Sequence, residues 1–177
     1  MSRWIVDVSH TNVGFSVKHM MIATVHGNFG EMEGSLQGDP MNLEDGEIEF
    51  KIDVRSINTN NKGRDDHLRS DDFFDVENHP YITFNSTEIK STEEDVYDVV
   101  GDLTIRGTTK PTTFKVTRLG KATNPWGVPV VAFEANTEIS RAEFGLTWNQ
   151  TLETGGVLVG DNIKINVELQ LNPEQEE

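Results

Sequence analysis

The sequence predicts an all-β fold, an eight-stranded antiparallel barrel with a short helical lid segment. Apolar and polar residues alternate with a period of two in several short runs, which is typical of strands with one face in a core and one in water. Turn sequences rich in Gly, Pro, Asn and Asp separate most of these runs. Because about eight strands suffice to close a barrel around a small ligand, a closed barrel is the expected arrangement.

The alternating runs define the predicted strands in order. A polar corner bends the first strand, and a turn at residues 26–28 (His-Gly-Asn) is expected before the second. Gly30 and Gly34 fall on the inward face of the second strand, where they would mark either a close approach of another backbone segment or room for something other than side chains. The predicted strands are Trp4–Val8 joined to Val13–His19, Asn28–Leu36, Gly46–Val54, Tyr81–Ile89, Val96–Arg106, Thr112–Leu119, Val130–Ile139 and Asp161–Leu171.

The stretch from residue 13 to residue 29 is expected to organise the barrel. Phe15, Val17 and His19 share one face of a strand, so an apolar row ends in an imidazole. Residues 20–23 (Met-Met-Ile-Ala) stay apolar without alternating. Since methionine adapts to irregular apolar surfaces, this segment predicts the mouth of a cavity.

The connection at residues 56–80 is predicted to cover one end of the barrel as a lid. A structureless connection of this length is uncommon in a compact domain. Lys62–Arg69 is expected to form a short helix, and Ser70 resembles the N-cap of a second helix with two aspartates in its first turn. The expected apolar anchors of the lid are Leu68, Phe73 and Phe74.

Composition restricts the function classes. The chain has 30 acidic and 15 basic residues, a net charge of −15, and no basic cluster that would neutralise nucleic-acid phosphates. The absence of cysteine excludes disulfides and thiolate chemistry. Residues 1–177 are expected to form one domain with a frayed tail at 172–177 and no membrane span. The N-terminus carries no secretory signal pattern, so the expected location is the cytoplasm, or the periplasm or extracellular space if a leader was removed.

Four sequence blocks follow one another in order between residues 4 and 171. They are Asp7–His10 with Val13–His19 and Gly27–Phe29, then Arg64–Arg69 with Asp72–Asp75 and His79–Pro80, then Gly101–Gly107, and finally Arg141–Gly145. Together these blocks resemble the signature of the YceI-like family. The resemblance implies a lipocalin-like barrel around an elongated apolar tunnel. It also implies non-enzymatic binding of a long apolar lipid, a polyisoprenoid or a prenyl quinone, for carriage, storage or protection.

The candidate ligand-binding residues are mostly large apolar side chains. In a filled barrel the same residues would interdigitate as ordinary core. The inward glycines, the apolar segment at 20–23 and the family resemblance favour a cavity instead. The candidates are Phe15, Val17, His19, Met20, Met21, Ile22, Phe29, Phe50, Arg64, His67, Phe73, Phe74, Phe84, Phe133 and Phe144.

The polar candidates each have a functional and a structural interpretation. His19 could contact a lipid headgroup or a quinone oxygen, or it could be a buried histidine with a structural partner. Arg64, with His67 close by in the lid, could bind a diphosphate through charge-assisted hydrogen bonds, or pair with Asp65 to tie the lid to the barrel. Asp7 and His10 are expected to pin the corner of the first strand.

An enzyme is not expected, since no nucleophile elbow and no phosphate-binding glycine loop occurs. Neither a cofactor nor a metal is expected, because the five histidines lack ligand spacing. Two alternatives stay open: a metal- or acid/base-dependent enzyme that uses histidines at the mouth, and a filled barrel whose acidic outer face binds a protein. A homodimer is also expected.

Overall fold

Eleven strands and one α-helix form the described part of the chain, residues 2–149 and 158–174, in this computed structural model. No helix in these ranges is long and apolar enough to cross a membrane. The elements are β1 (Arg3–Val6), β2 (Asn12–His19), β3 (Ala23–Phe29), β4 (Met32–Asp39), β5 (Asn42–Asp53), β6 (Ile57–Asn58), α1 (Lys62–Arg69), β7 (Tyr81–Glu93), β8 (Val96–Ile105), β9 (Thr108–Thr123), β10 (Pro129–Ser140) and β11 (Val159–Pro173).

The sheet closes because β11 pairs with two different strands on one side. Its first part pairs with β2, and its last residues pair with β1. Strand β1 in turn pairs with β4, and β2 pairs with β3. Therefore β1 and β2 act as one bent strand, and β3 and β4 act as a second one beside it. With β5 and β7–β11 they form a closed eight-stranded antiparallel barrel, which confirms the predicted fold class.

The bend between β1 and β2 is held by Asp7, as expected. Its carboxylate accepts hydrogen bonds from the backbone N–H of Ser9 at 3.1 Å and from the Ser9 hydroxyl at 2.7 Å, and it lies 2.9 Å from Nδ1 of His10. The Thr11 hydroxyl donates to the carbonyl of Asp7 at 2.7 Å. The Ser9 hydroxyl, and after it His10, hold the pKa of Asp7 below its ordinary value.

The turn after β2 lies earlier in the chain than predicted. Residues 26–28 belong to β3, and the chain instead reverses at residues 20–22. In this register Phe15 lies opposite Gly27, where a Cβ atom would come within 2.3 Å of the Phe15 ring. Gly27 is therefore required by cross-strand packing and not by a turn.

The predicted inward glycines do not create space inside the barrel. Gly30 is exposed at a bend between β3 and β4, so the predicted strand Asn28–Leu36 is interrupted there. At Gly34 a Cβ atom would lie 2.7 Å from Phe50 and 2.8 Å from Val6. These two side chains fill the position that Gly34 leaves open, so there is no free interior room at this glycine. Gly30 has open space beside it, but that space is solvent and not the barrel interior.

The lid contains one helix where the sequence predicted two. Helix α1 matches the predicted range Lys62–Arg69, and the side chain of Asn61 caps its N-terminus by accepting from Arg64 N–H at 2.9 Å. Ser70 ends this helix and does not begin another, because its hydroxyl donates to the His67 carbonyl at 2.5 Å. The backbone N–H groups of residues 73 and 75 then bond to the Ser70 carbonyl, so the chain turns.

The C-terminal strand extends further than expected. Asn172 pairs with Ile5, Pro173 pairs with Trp4, and the backbone N–H of Glu174 donates to the Arg3 carbonyl at 2.8 Å. The predicted fraying is thus wrong for residues 172–174, and residues 175–177 lie outside the described ranges.

Candidate functional site

The interior of the barrel holds an apolar cavity of about 210 Å³. A cavity for one buried water needs only about 10–15 Å³, so this space is much larger than a packing defect. Side chains from all the barrel strands and from the lid surround it. A filled barrel would place these side chains in mutual contact throughout, so the structure does not support the filled-barrel alternative.

More than half of the predicted ligand-binding residues line this cavity. They come from the barrel wall and from the lid, and their contact with a ligand stays a prediction. Phe144 is fully buried but does not line the cavity. The predicted residues in the lining are Phe15, Val17, Phe29, Phe50, Phe73, Phe74, Phe84 and Phe133.

His19 lies at the end of β2, beyond the cavity. It shares a strand face with Val17, which lines the cavity, but it pairs with Ala23 and Val159 near the turn and does not itself belong to the lining. The alternation correctly predicted its side of the strand but not where the cavity ends. Contact with a ligand headgroup therefore stays a prediction for His19.

Residues 20–22 form the exposed turn between β2 and β3. The exposed fractions of Met20, Met21 and Ile22 are 43%, 64% and 85%, and none of the three lines the cavity. These three residues therefore form no part of the cavity wall, and their contact with a ligand stays a prediction.

Arg64 and Asp65 converge on Thr59 in the lid. Arg64 donates from Nε to the Thr59 hydroxyl at 2.8 Å and from Nη2 to the Thr59 carbonyl at 2.7 Å. The buried Asp65 carboxylate accepts from the Thr59 backbone N–H at 2.9 Å and from its hydroxyl at 2.5 Å. The expected ion pair between Arg64 and Asp65 is replaced by this shared partner. Binding of a diphosphate by Arg64 stays a prediction.

His67 belongs to an aromatic cluster at the lid end of the barrel. Its ring meets Phe73 and Trp148 edge to face, with centroid distances of 5.0 Å and 4.7 Å. Its Nε2 lies 2.8 Å from a carboxylate oxygen of Asp72. His67 thus connects the lid to the segment after β10. It packs against Phe73, which lines the cavity, but His67 is not itself part of the lining.

Arg141 is a site residue that the sequence did not single out. Its side chain lines the cavity, and the residue is 5% exposed. Nε donates to the Gly160 carbonyl at 2.8 Å, and Nη1 donates to the carbonyls of Leu146 at 2.6 Å and Trp148 at 3.0 Å. Burial lowers the pKa of its guanidinium, and the charge of Asp161 partly offsets this.

No strand signal marked Arg141. It lies beyond the predicted strand Val130–Ile139, and in the structure it begins a short 3-10 helix, Arg141–Phe144, directly after β10. The carbonyl groups that bind its guanidinium come from residues 146, 148, 159 and 160, and only the return of the chain into β11 brings them together. That long-range arrangement is not readable from the sequence.

The site offers an apolar space with one basic side chain in its described lining, Arg141. Within residues 2–149 and 158–174, no group of three or more His, Asp and Glu side chains could hold a metal ion. Chemically, this arrangement can enclose a hydrophobic molecule and present a cation near one end of it.

Comparison with known proteins identifies the family. The model of the YceI-like domain matches residues 4–171. A UPF0312 protein from Staphylococcus epidermidis is 38% identical over 173 residues, which cover 97% of this chain and 98% of that protein. The crystal structure of the Campylobacter jejuni YceI protein superimposes with a TM-score of 0.76 at 32% identity, with 96% of each chain covered. A polyisoprenoid binding domain from Saccharophagus degradans shares the fold, with a TM-score of 0.70 at 15% identity. The superposition covers 98% of this chain and 100% of that domain. As the four sequence blocks predicted, the chain belongs to the family of proteins with a YceI-like domain.

Proposed function

We propose that this protein binds a long apolar lipid of the polyisoprenoid or prenyl-quinone class inside its barrel, and that it acts as a binding protein rather than an enzyme. The apolar cavity enclosed by the barrel strands is the observation that carries the proposal. The name of the related Saccharophagus degradans domain, a polyisoprenoid binding domain, supports the ligand class. Carriage, storage or protection of a water-insoluble lipid is the corresponding role.

The length of the cavity lining favours a linear ligand. On β11 the lining residues extend from Val159 to Leu171, and the regularly paired part from Ile163 to Leu171 alone spans roughly 26 Å at about 3.3 Å per residue. A lining that extends this far along one strand suits an extended hydrocarbon chain better than a compact ring system. Burial of such a chain would contribute about 0.8 kcal/mol per methylene group, so a long chain supplies ample binding energy.

The polar end of the ligand is proposed to face the lid end of the barrel. Arg141 lines the cavity there, and a guanidinium can donate charge-assisted hydrogen bonds to a quinone carbonyl or to a phosphate oxygen. Away from the lid end the lining is largely apolar, with side chains such as Leu36, Leu43 and Leu171, and its polar members there are Ser35 and Glu49. A lipid with one polar end therefore has a preferred direction in the barrel.

The test is mass spectrometry of an organic extract of the purified protein, combined with thermal unfolding in the presence of a prenyl quinone. We expect an extractable prenyl lipid and a higher Tm with added quinone. Detection of no lipid, together with no stabilisation by quinones or prenyl alcohols, would overturn the proposal.

A matched pair of variants on β10 makes this test specific to the cavity. Ala135 faces the cavity, whereas Ala132 lies on the other face of the same strand. Ala135→Phe fills part of the interior and should lower the lipid content, while Ala132→Phe should leave it unchanged. An equal lipid content in the two variants would place the lipid outside the barrel.

A further inference from the structure

The turn between β2 and β3 presents apolar side chains to solvent where a polar turn would fold more easily. Met20 and Met21 occupy its central positions with φ of 53° and 63°, and the Ile22 N–H bonds back to the His19 carbonyl at 3.3 Å. Non-glycine residues seldom adopt this left-handed conformation, and such a turn ordinarily takes Asn-Gly. Residues 20–22 are named here the apolar turn. Their sequence does not match the conformational preference of the turn that they form.

The apolar turn is held in a defined position. The Met20 N–H donates to the Leu158 carbonyl at 2.7 Å, which fixes the turn to the start of β11. Below it, the β2–β3 ladder continues through the pair Lys18 and Thr24, whose side chains are also bonded at 3.0 Å. The exposed methionines and isoleucine thus project from a paired hairpin and not from a loose loop.

The apolar turn lies at the lid end of the barrel and is continuous with the cavity wall. Val17 lines the cavity two residues before His19, and Val159, which pairs with His19, lines it as well. One pair of neighbouring strands therefore runs from the interior to the apolar turn. Any partner surface that contacts the apolar turn therefore also lies close to the lid.

The charge along the chain segment that carries the apolar turn differs from that of the whole chain. Residues 11–30 contain no Asp or Glu, although the chain carries 30 acidic residues and a net charge of −15. The charged or titratable side chains in this stretch are Lys18, His19 and His26. The hairpin can therefore approach a lipid headgroup layer that the acidic remainder of the surface would not favour.

We propose that the apolar turn inserts into the surface of a lipid bilayer and positions the lid end for exchange of the bound lipid. The inference rests on the proposed function, because a water-insoluble cargo must be collected from a lipid phase. Three side chains cover roughly a few hundred Å² at most, well below the about 800 Å² per partner of a stable protein interface. A bilayer accepts isolated apolar side chains without shape complementarity, so it fits this small surface better than a second copy or a protein partner.

The experiment is flotation of the protein with phosphatidylcholine vesicles. Wild type should float with the vesicles, and Met21→Ser combined with Ile22→Ser should lower the bound fraction about tenfold or more. Trp126→Ser is the matched control, because Trp126 is 84% exposed in the β9–β10 turn at the opposite end of the barrel. This control should bind vesicles like wild type.

A second variant separates docking from folding. Met20→Asn combined with Met21→Gly gives the turn its preferred residues, so it should raise the Tm and still lose vesicle binding. Failure of wild type to float, unchanged flotation of both turn variants, or an equal loss with Trp126→Ser would overturn the inference. A dimer in solution that the turn variants convert to a monomer would also overturn it, in favour of contact with a second copy.

Prenyl-quinone loading distinguishes this inference from the proposed function. The turn variants should take up quinone from detergent micelles as well as wild type does, but more slowly from vesicles. If wild type floats yet takes up no quinone from either source, the proposed function fails while bilayer docking stands. If uptake from vesicles is equally fast in wild type and in both turn variants, the exchange role of the apolar turn is refuted.

Discussion

The two ends of the barrel are closed by different chemistry, and each has an arginine at its centre. The end opposite the lid is named here the sealed end, because the Arg118 side chain connects β9 to the β4–β5 turn across it. Arg118 forms an ion pair with Asp95 and donates to the Tyr97 hydroxyl at 2.8 Å and to the Pro40 carbonyl at 3.1 Å. At the lid end, Arg141 has no ion pair within the described residues and is satisfied by backbone carbonyls. The cation at the sealed end is thus paired directly with a carboxylate, whereas the buried guanidinium of Arg141 beside the cavity is only partly compensated by the charge of Asp161.

The lid, like Arg141, is held by hydrogen bonds from arginine side chains to backbone carbonyl groups. Arg106 reaches from the β8–β9 turn to the carbonyls of Asp71 and Gly145, at 2.9 Å and 3.0 Å. Arg69 donates to the carbonyls of Arg55 and Ile57, at 3.1 Å and 3.0 Å. These hydrogen bonds add to the burial of Ile57, Phe73 and Val76, but the lid shares only the short β6–β3 pairing with the barrel backbone. A segment without a continuous backbone ladder opens at a lower free-energy cost than paired strands do. We therefore predict that a ligand enters at the lid end.

The largest effect is expected at Arg141. Arg141→Met would leave several buried carbonyl groups without donors, so the free energy of unfolding should fall by about 3–5 kcal/mol. Arg141→Lys keeps the charge but not the forked geometry, and its loss should be smaller. Urea unfolding measures both variants. A loss below about 1 kcal/mol for Arg141→Met would contradict the role assigned to its hydrogen bonds.

Arg118 provides the sharpest contrast with Arg141. Arg118→Met should lower the free energy of unfolding by about 1.5–3 kcal/mol, less than Arg141→Met, because the half-exposed Asp95 can regain solvent contact. Its rate of prenyl-quinone uptake should match that of wild type. Faster uptake in this variant, followed by quinone absorbance in stopped flow, would mean that the ligand enters at the sealed end.

Removal of the Arg106 side chain tests how the lid opens. Arg106→Ala should cost only about 1 kcal/mol of unfolding free energy but should accelerate quinone exchange, since two hydrogen bonds between the lid, the β8–β9 turn and the segment after β10 are lost. Lys110→Ala, an exposed change on the adjacent β9, is the control and should alter neither quantity. If Arg106→Ala exchanges quinone at the wild-type rate, the lid is not part of the entry route.

The smallest effect is expected at the Asp7 corner, which belongs to neither end. Its folded-state pKa lies below the ordinary value of 3.8, so its carboxylate stabilises the fold above about pH 3.8, and this contribution is lost as the pH falls through the folded-state value. Asp7→Asn should therefore reduce the fall in stability below pH 4, by about 1 kcal/mol or less. Urea unfolding between pH 3 and pH 6 measures this, and a pH dependence identical to wild type would contradict the role of the Ser9 and His10 contacts.

Local patterns in the sequence account for the elements that were predicted correctly. Inward rows such as Val99, Leu103 and Ile105 follow the strand period, and helix α1 begins at the side-chain cap of Asn61. Each of these signals resides within a few neighbouring residues. For this reason the barrel and its helix could be predicted from the chain alone.

The errors occurred where distant residues decide the structure. Gly27 suggested a turn because its partner, the Phe15 ring, lies on the neighbouring strand. The true turn at Met20 and Met21 has none of the usual turn residues, so no local signal marked it. Arg141 depends on carbonyl groups that approach it only in the folded barrel.

A crystal structure of the protein with a prenyl quinone tests the central claim most directly. The account predicts continuous ligand density along the barrel interior, in contact with Phe15 and Phe84, with the quinone ring at the lid end near Arg141. Quinone bound on the outer surface, or an interior in which the side chains have closed the 210 Å³ cavity, would contradict it.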